Sequence, residues 1–240
     1  VTRAAWQQIV DRVESACEAA GLDLVYPFNL AACDFQGLCR KLPLQAQSPL
    51  RHQALGILVG NTRRLWPRFV AACQADPSLT AAAHPLDRYV VEQLSSIGLG
   101  LTPAARVIFA HVTEPAAFPI QRLAEQIGFA TLSPSQLAIH PEHGPWFALR
   151  AVMLIDVEGP PLRPRAAPSP CSGCSAPCLP ALEHAVAVSG SPLDAAAIAR
   201  QAPAWIAVRD ACPIGRGSRY GKAQLAYHYA PAAAKLVQES

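Results

Sequence analysis

Trp6, Ile9, Val10, Val13 and Cys17 recur at helical spacing, and Gly21 follows them. The pattern predicts an amphipathic helix over residues 2–20 that stops at the glycine. Residues 22–30, LDLVYPFNL, read as extended, and 53–60, QALGILVG, as a short buried strand. Helical patterns follow at 66–74 and 85–98, each with a proline near its start, where a missing N–H costs little. RVIFAHV, residues 106–112, is a predicted strand, and 119–128 a helix that opens on proline and closes on glycine. Residues 136–157 read as a turn between extended segments, the second a long apolar strand. Strands and helices intermingle over 1–157, which predicts a sheet with helices packed on it.

The pattern changes near residue 158. The stretch EGPPLRPRAAPSPCSGCSAPCLP holds seven prolines. Proline has no N–H and a fixed φ, so this is neither helix nor central strand. Alanine-rich helices are predicted beyond it at about 180–188 and 194–202. The last, over 222–238, breaks near Pro231. The division is thus a core over 1–157 and a Pro/Cys-rich arm with C-terminal helices over 158–240, completing the same domain. No internal repeat is visible.

Composition narrows the function classes. The 240 residues are 51% apolar and 15% charged, enough for a sizeable core. A net charge of +3, without a Lys/Arg block, argues against nucleic acid as partner. No apolar run reaches the roughly 18 residues of a membrane span. There is no signal-peptide pattern, so a cytoplasmic location is expected.

Eight cysteines are too few for a disulfide scaffold in a chain of 240 residues. Cys17, Cys33, Cys39 and Cys73 are dispersed and read as small core hydrophobes. Cys171, Cys174 and Cys178 crowd together between prolines, and Cys212 stands directly before Pro213. Packing gives no reason to crowd thiols; a metal site does. Four thiolates suit a 4Fe–4S cluster or zinc, and a site without metal is the third alternative.

Other chemistry is sparse. There is no Gly-rich nucleotide loop, no GxSxG elbow and no HExxH. IHPEHG sets His140 and His143 three apart, but Pro141 interrupts any helix that would aim both at one zinc, and a turn pair is the plainer reading. Arg150 lies in an apolar strand, a costly place for a charge that neither pairs nor lines a site.

Val25–Phe28 (VYPF), Ile139–Pro141, Gly144–Arg150 (GPWFALR), Arg209–Ala211 and Arg219–Tyr227 follow one another over residues 20–235. In this order and spacing they resemble the CblC family of cyanocobalamin reductases and alkylcobalamin dealkylases. The resemblance implies an α+β fold with a core like that of flavin-dependent nitroreductases, an antiparallel sheet flanked by helices. It implies cobalamin bound base-off, consistent with the lack of a D-x-H-x-x-G ligand motif. Ile139, His140, Pro141, Gly144, Trp146, Phe147 and Ala148 would then contact the cofactor. The family's three glutathione-binding arginines fall on Arg150, Arg209 and Lys235, and a family histidine near the corrin falls on Glu125. A thiol such as glutathione, a flavin and a homodimer are admitted by the resemblance; the electron donor is not named by it.

The cysteine cluster departs from the animal members. It is similar to the ferredoxin-like cysteines that follow a related corrinoid-binding core in epoxyqueuosine reductases, reduced here to one set of ligands. The expected function is reductive removal of the upper cobalt ligand, with an oxidoreductase's chemistry. The alternatives are a cobalamin-dependent iron–sulfur reductase of another substrate and a non-enzymatic corrinoid escort.

Overall fold

The computed structural model describes residues 4–40, 50–114, 116–162 and 169–229. The chain divides into two compact units, residues 1–129 with 148–167 and residues 130–147 with 168–240. The segment 130–147 therefore groups with the C-terminal part, although in sequence it sits inside the first 157 residues.

In the first unit α1 spans Ala5–Ala19 and buries Ile9, Val10, Val13 and Cys17, the predicted stripe. Gly21, at φ 77, takes the left-handed conformation that ends it. Then come β1 (Leu24–Asn29), α2 (Phe35–Cys39), β2 (Ala54–Asn61), α3 (Leu65–Ala75), α4 (Pro77–Thr80), α5 (Pro85–Leu99), β3 (Arg106–Phe109) and α6 (Ile120–Gln126). In the second unit β4 (Thr131–Leu132) and β5 (Ala138–Ile139) form a hairpin. The chain returns to the first unit as β6 (Ala148–Glu158). α7 (Cys178–Ser189), α8 (Ala195–Arg200), α9 (Ala202–Asp210) and α10 (Lys222–Tyr229) complete the second unit.

The sheet has the order β1-β2-β6-β3, antiparallel throughout. All eight residues of β2 are buried, which explains its unbroken apolar run: neither face meets water. Truncating Ile57, fully buried there, would cost about 2–5 kcal/mol. β1 is an edge strand, so Pro27 removes no ladder bond on its outer side. Within VYPF, the Tyr26 hydroxyl donates to the Ile127 carbonyl at 3.3 Å, and the Phe28 ring occupies the space a β-carbon on Gly56 would need. The motif's visible work is packing.

The predicted helix at 194–202 is α8, and a further helix that was not predicted, α9, begins at Ala202. Pro203, in the first turn of α9, has no N–H to continue the ladder of α8, and the backbone breaks at Gln201. α9 packs against α7, and the Trp205 indole N–H donates to Ser189 Oγ at 3.0 Å. Of the proline-rich arm over 158–180, Glu158 still belongs to β6 and Cys178–Pro180 already form the first turn of α7, against expectation; the other described residues hold no helix or strand. The predicted helix over 222–238 is seen as α10; its part from Pro231 lies outside the described residues.

Candidate functional site

Within the second unit a cavity of about 420 Å³ is lined by Cys171, Cys174, Cys178 and Cys212 together. Local structure explains the gathering. Cys171–Cys174 is a turn closed by the Cys174 N–H on the Cys171 carbonyl at 3.2 Å, with Gly173 at φ 76. Cys178 is the first residue of α7. Cys212 lies just past α9, and the packing of α7 on α9 puts both on one cavity.

The other walls are the β4–β5 loop, with Ser133, Ser135 and Leu137, and the apolar Ile139, Val208 and Ile214. Among the described residues no carboxylate, histidine, lysine or arginine lines it; it offers four sulfurs, a soft set, beside serine hydroxyls. Burial pushes the Cys171 thiol up, and Cys212, Cys174 and Cys178 push it the same way, against a hydrogen bond with Ser169. Burial also pushes Cys212 up, opposed by the Ile214 backbone N–H and by Arg216. The thiols thus feel one another. Among the described residues no three His, Cys, Asp or Glu side chains close into a ready-made metal-ligand group.

The segment Ile139–Phe147 forms a second feature of the same unit. His140 and Gly144 exchange backbone hydrogen bonds of 2.9 Å in each direction, and Gly144 sits at φ 56. His140 Nδ1 accepts the N–H groups of Glu142 at 3.2 Å and His143 at 3.3 Å. The imidazoles of His140 and His143 stack at 4.7 Å, and His143 Nδ1 pairs with Ser218 Oγ at 2.9 Å. Stacked, with each Nδ1 engaged, the two form a turn pair. Burial first, then His143, lowers the His140 pKa to about 4.

This turn is fastened to the segment that carries Cys212. β-Carbons on Gly144 and Gly215 would collide with the backbone of Ile214 and His143 respectively. Arg209 donates to the Pro145 carbonyl at 2.7 Å. Trp146, 1% exposed, has the Arg209 and Arg219 guanidiniums at 5.8 and 5.4 Å from its ring, and Tyr220 meets it edge-on. Arg219 is held in turn by both oxygens of Asp210, at 2.7 and 2.9 Å. Ile139 and Phe147 are buried, and Pro141 lies in the turn.

By sequence the chain matches no family model and no curated protein. Its fold is similar to that of the B12-trafficking protein CblC of C. elegans, a homologue of human MMACHC. The TM-score is 0.65 at 15% identity, over 95% of this chain and 93% of that one. The chain has a CblC-like fold. Its mixed α/β content and antiparallel sheet agree with that likeness. Among the described residues no helix is long and apolar enough to cross a membrane.

Within the CblC-like fold the remaining residues singled out by sequence fall as follows. Ala148 opens β6 and Arg150 follows on that strand in the first unit, where Arg150 Nε donates at 2.6 Å to Oδ1 of the fully buried Asn61. Arg209 belongs to the second unit and holds Pro145 and Trp146. Lys235 lies outside the described residues. Glu125 is exposed on α6.

Sequence reasoning missed Ser133, Ser135 and Gly215. SPS beside a short hairpin reads only as turn chemistry. Gly215 sits in GRGS, where nothing but the fold shows that its missing side chain lets two backbones meet. Arg219 was noticed as part of a motif, but its grip on Trp146 has no sequence signal.

Proposed function

We propose that this protein binds a cobalamin and reductively processes it at the upper cobalt ligand, with Cys171, Cys174, Cys178 and Cys212 holding one 4Fe–4S cluster. The observation that carries the cobalamin reading is the CblC-like fold, which extends over 95% of the chain. The motif series from Val25 to Tyr227 supports it, because its central part, residues 139–147, is an ordered and largely buried turn.

The cluster reading rests on the cavity. Four thiols and, among the described residues, no other ionisable side chain line it, and about 420 Å³ is roomy for a lone ion held by four sulfurs at about 2.3 Å. When bound, such a cluster supplies single electrons at low potential. The chain's own residues supply the rest. The four thiols would give up their protons, the Ile214 N–H faces the Cys212 sulfur, and Leu137, Ile139 and Val208 add apolar wall.

The test is anaerobic purification followed by metal analysis and addition of cob(II)alamin. Brown protein with about four irons per chain is expected from this ligand set. The cobalamin should enter a five-coordinate state without nitrogen superhyperfine splitting. Turnover of cyanocobalamin with a one-electron reductant is expected as well. Binding without turnover would make the protein an escort, and nitrogen splitting would refute the base-off mode.

A further inference from the structure

Ser133 and Ser135 form a hydroxyl pair with one proton more than the protein uses. Both lie on the cysteine cavity, and they are only 3% and 6% exposed. Their Oγ atoms are 3.0 Å apart, and Ser133 Oγ also accepts the Leu137 N–H at 3.2 Å. The loop is rigidly set. The Ser133 N–H donates to the Leu137 carbonyl and the Gln136 N–H to the Ser133 carbonyl, both at 2.9 Å, with Gln136 at φ 63.

Each hydroxyl has one proton. The bond between them consumes one, and the Leu137 N–H brings its own. One O–H proton is left over. Hydrogen-bond chains are strongest head to tail, because each bond polarises the next. Either oxygen can donate in that bond; the head-to-tail order runs from the Leu137 N–H to Ser133 and from the Ser133 O–H to Ser135, and it leaves the Ser135 O–H spare. A buried donor without an acceptor costs about 1–3 kcal/mol. The wall on which Ser135 stands belongs to a cavity that also carries four thiols and the hydroxyls of Ser172 and Ser175.

We propose that Ser135 donates its hydroxyl proton to a sulfur, thiolate or sulfide, of the group held by Cys171, Cys174, Cys178 and Cys212, and thereby raises that group's reduction potential. This rests on the cluster reading above. Ser135 tunes the cluster and does not ligate it; Ser133 orients Ser135. Reduction adds one electron and places more negative charge on the sulfurs. A donor that reaches them therefore stabilises the reduced form more than the oxidised one.

The experiment is a potentiometric titration of iron-loaded wild type, Ser135→Ala and Ser135→Thr, with dithionite as the reductant. Metal analysis comes first. Iron-free wild-type protein overturns the cluster reading itself and this inference with it. With iron present, Ser135→Ala should lower the reduced-to-oxidised ratio at a fixed potential about tenfold, or about 59 mV for one electron. Ser135→Thr should keep the wild-type value. Because Ser133 still caps Leu137 in both variants, the hairpin should survive.

A second readout needs no potential. The reduced wild-type cluster should show a hyperfine coupling to a proton that exchanges in deuterated water, and Ser135→Ala should lack it. Iron-loaded Ser135→Ala with wild-type potential and unchanged proton couplings overturns the proposal.

Discussion

Gly144 and Ile214 run backbone to backbone, so close that a β-carbon on Gly144 would strike the Ile214 carbonyl. The reciprocal contact, Gly215 against His143, has the same form, and both glycines have positive φ. The pair locks the His140 turn to the segment two residues past Cys212.

Alanine at either position should therefore be severe. It meets left-handed strain of about 1–2 kcal/mol and also backbone that cannot step aside. Gly173→Ala is the control: φ is 76, but nothing lies within 4 Å of the new carbon. Denaturant unfolding should show a loss above about 2 kcal/mol for Gly144→Ala and Gly215→Ala and about 1 kcal/mol for Gly173→Ala. Equal losses would mean that backbone strain alone acts.

Sequence resemblance assigns Arg209 to a thiol ligand, yet in the structure it meets Pro145 and Trp146. It positions the turn. Arg209→Ala removes a charge-assisted bond to a carbonyl and a cation over an indole, together about 1–3 kcal/mol. Arg209→Lys should not restore it, since a point charge cannot serve both partners as the planar fork does. Thermal unfolding checks the stability. Glutathione-dependent dealkylation of methylcobalamin checks the other role. Loss of dealkylation at unchanged stability would return Arg209 to the thiol.

What was legible in the sequence was what a local period can carry. α1 and β2 follow from the spacing of Ile9 to Cys17 and from the apolar run at 54–61. The cysteines were legible because crowded thiols have no packing rationale. Their meeting with Cys212 has no local signal; the packing of α7 on α9 is its cause. α9 was missed because Pro203 reads as the end of the preceding helix, whereas it stands in the first turn of a new one. The Ser133–Ser135 pair and the Arg219 grip on Trp146 depend on tertiary approach, which no spacing encodes.

The raised thiols make a prediction about metal loading. Burial and neighbouring thiols hold Cys171 and Cys212 above the ordinary value, so at neutral pH both are protonated. Metal must displace those protons, and affinity should climb as pH rises. Cobalt(II), a spectroscopic probe for thiolate sites, should bind more tightly at pH 8.5 than at pH 6.5, with its thiolate charge-transfer band as readout. Cys178→Ala and Cys212→Ala should each weaken the band. A band that is unaffected by either change, or equal at both pH values, would separate these thiols from the metal.

His140 gives the acid-side prediction. Its Nδ1 accepts two backbone N–H groups, so protonation at that atom would break both. Burial is the larger cause of its depressed pKa, and the stacked His143 adds to it; Glu142 opposes them. The folded value of about 4 lies below the ordinary 6.5. Between these values the unfolded chain binds a proton that the native one refuses. The stabilisation is therefore complete above about pH 6.5 and drains away as pH falls toward about 4. The ring is partly exposed, so the loss should be about 1–2 kcal/mol, less than the full shift would give. His140→Gln has no titrating ring and should flatten this limb of the stability curve while costing some stability at neutral pH. Urea unfolding at pH 7.5 and pH 5.0, wild type against variant, measures the difference. Parallel losses in the two proteins would place the acid sensitivity elsewhere in the chain.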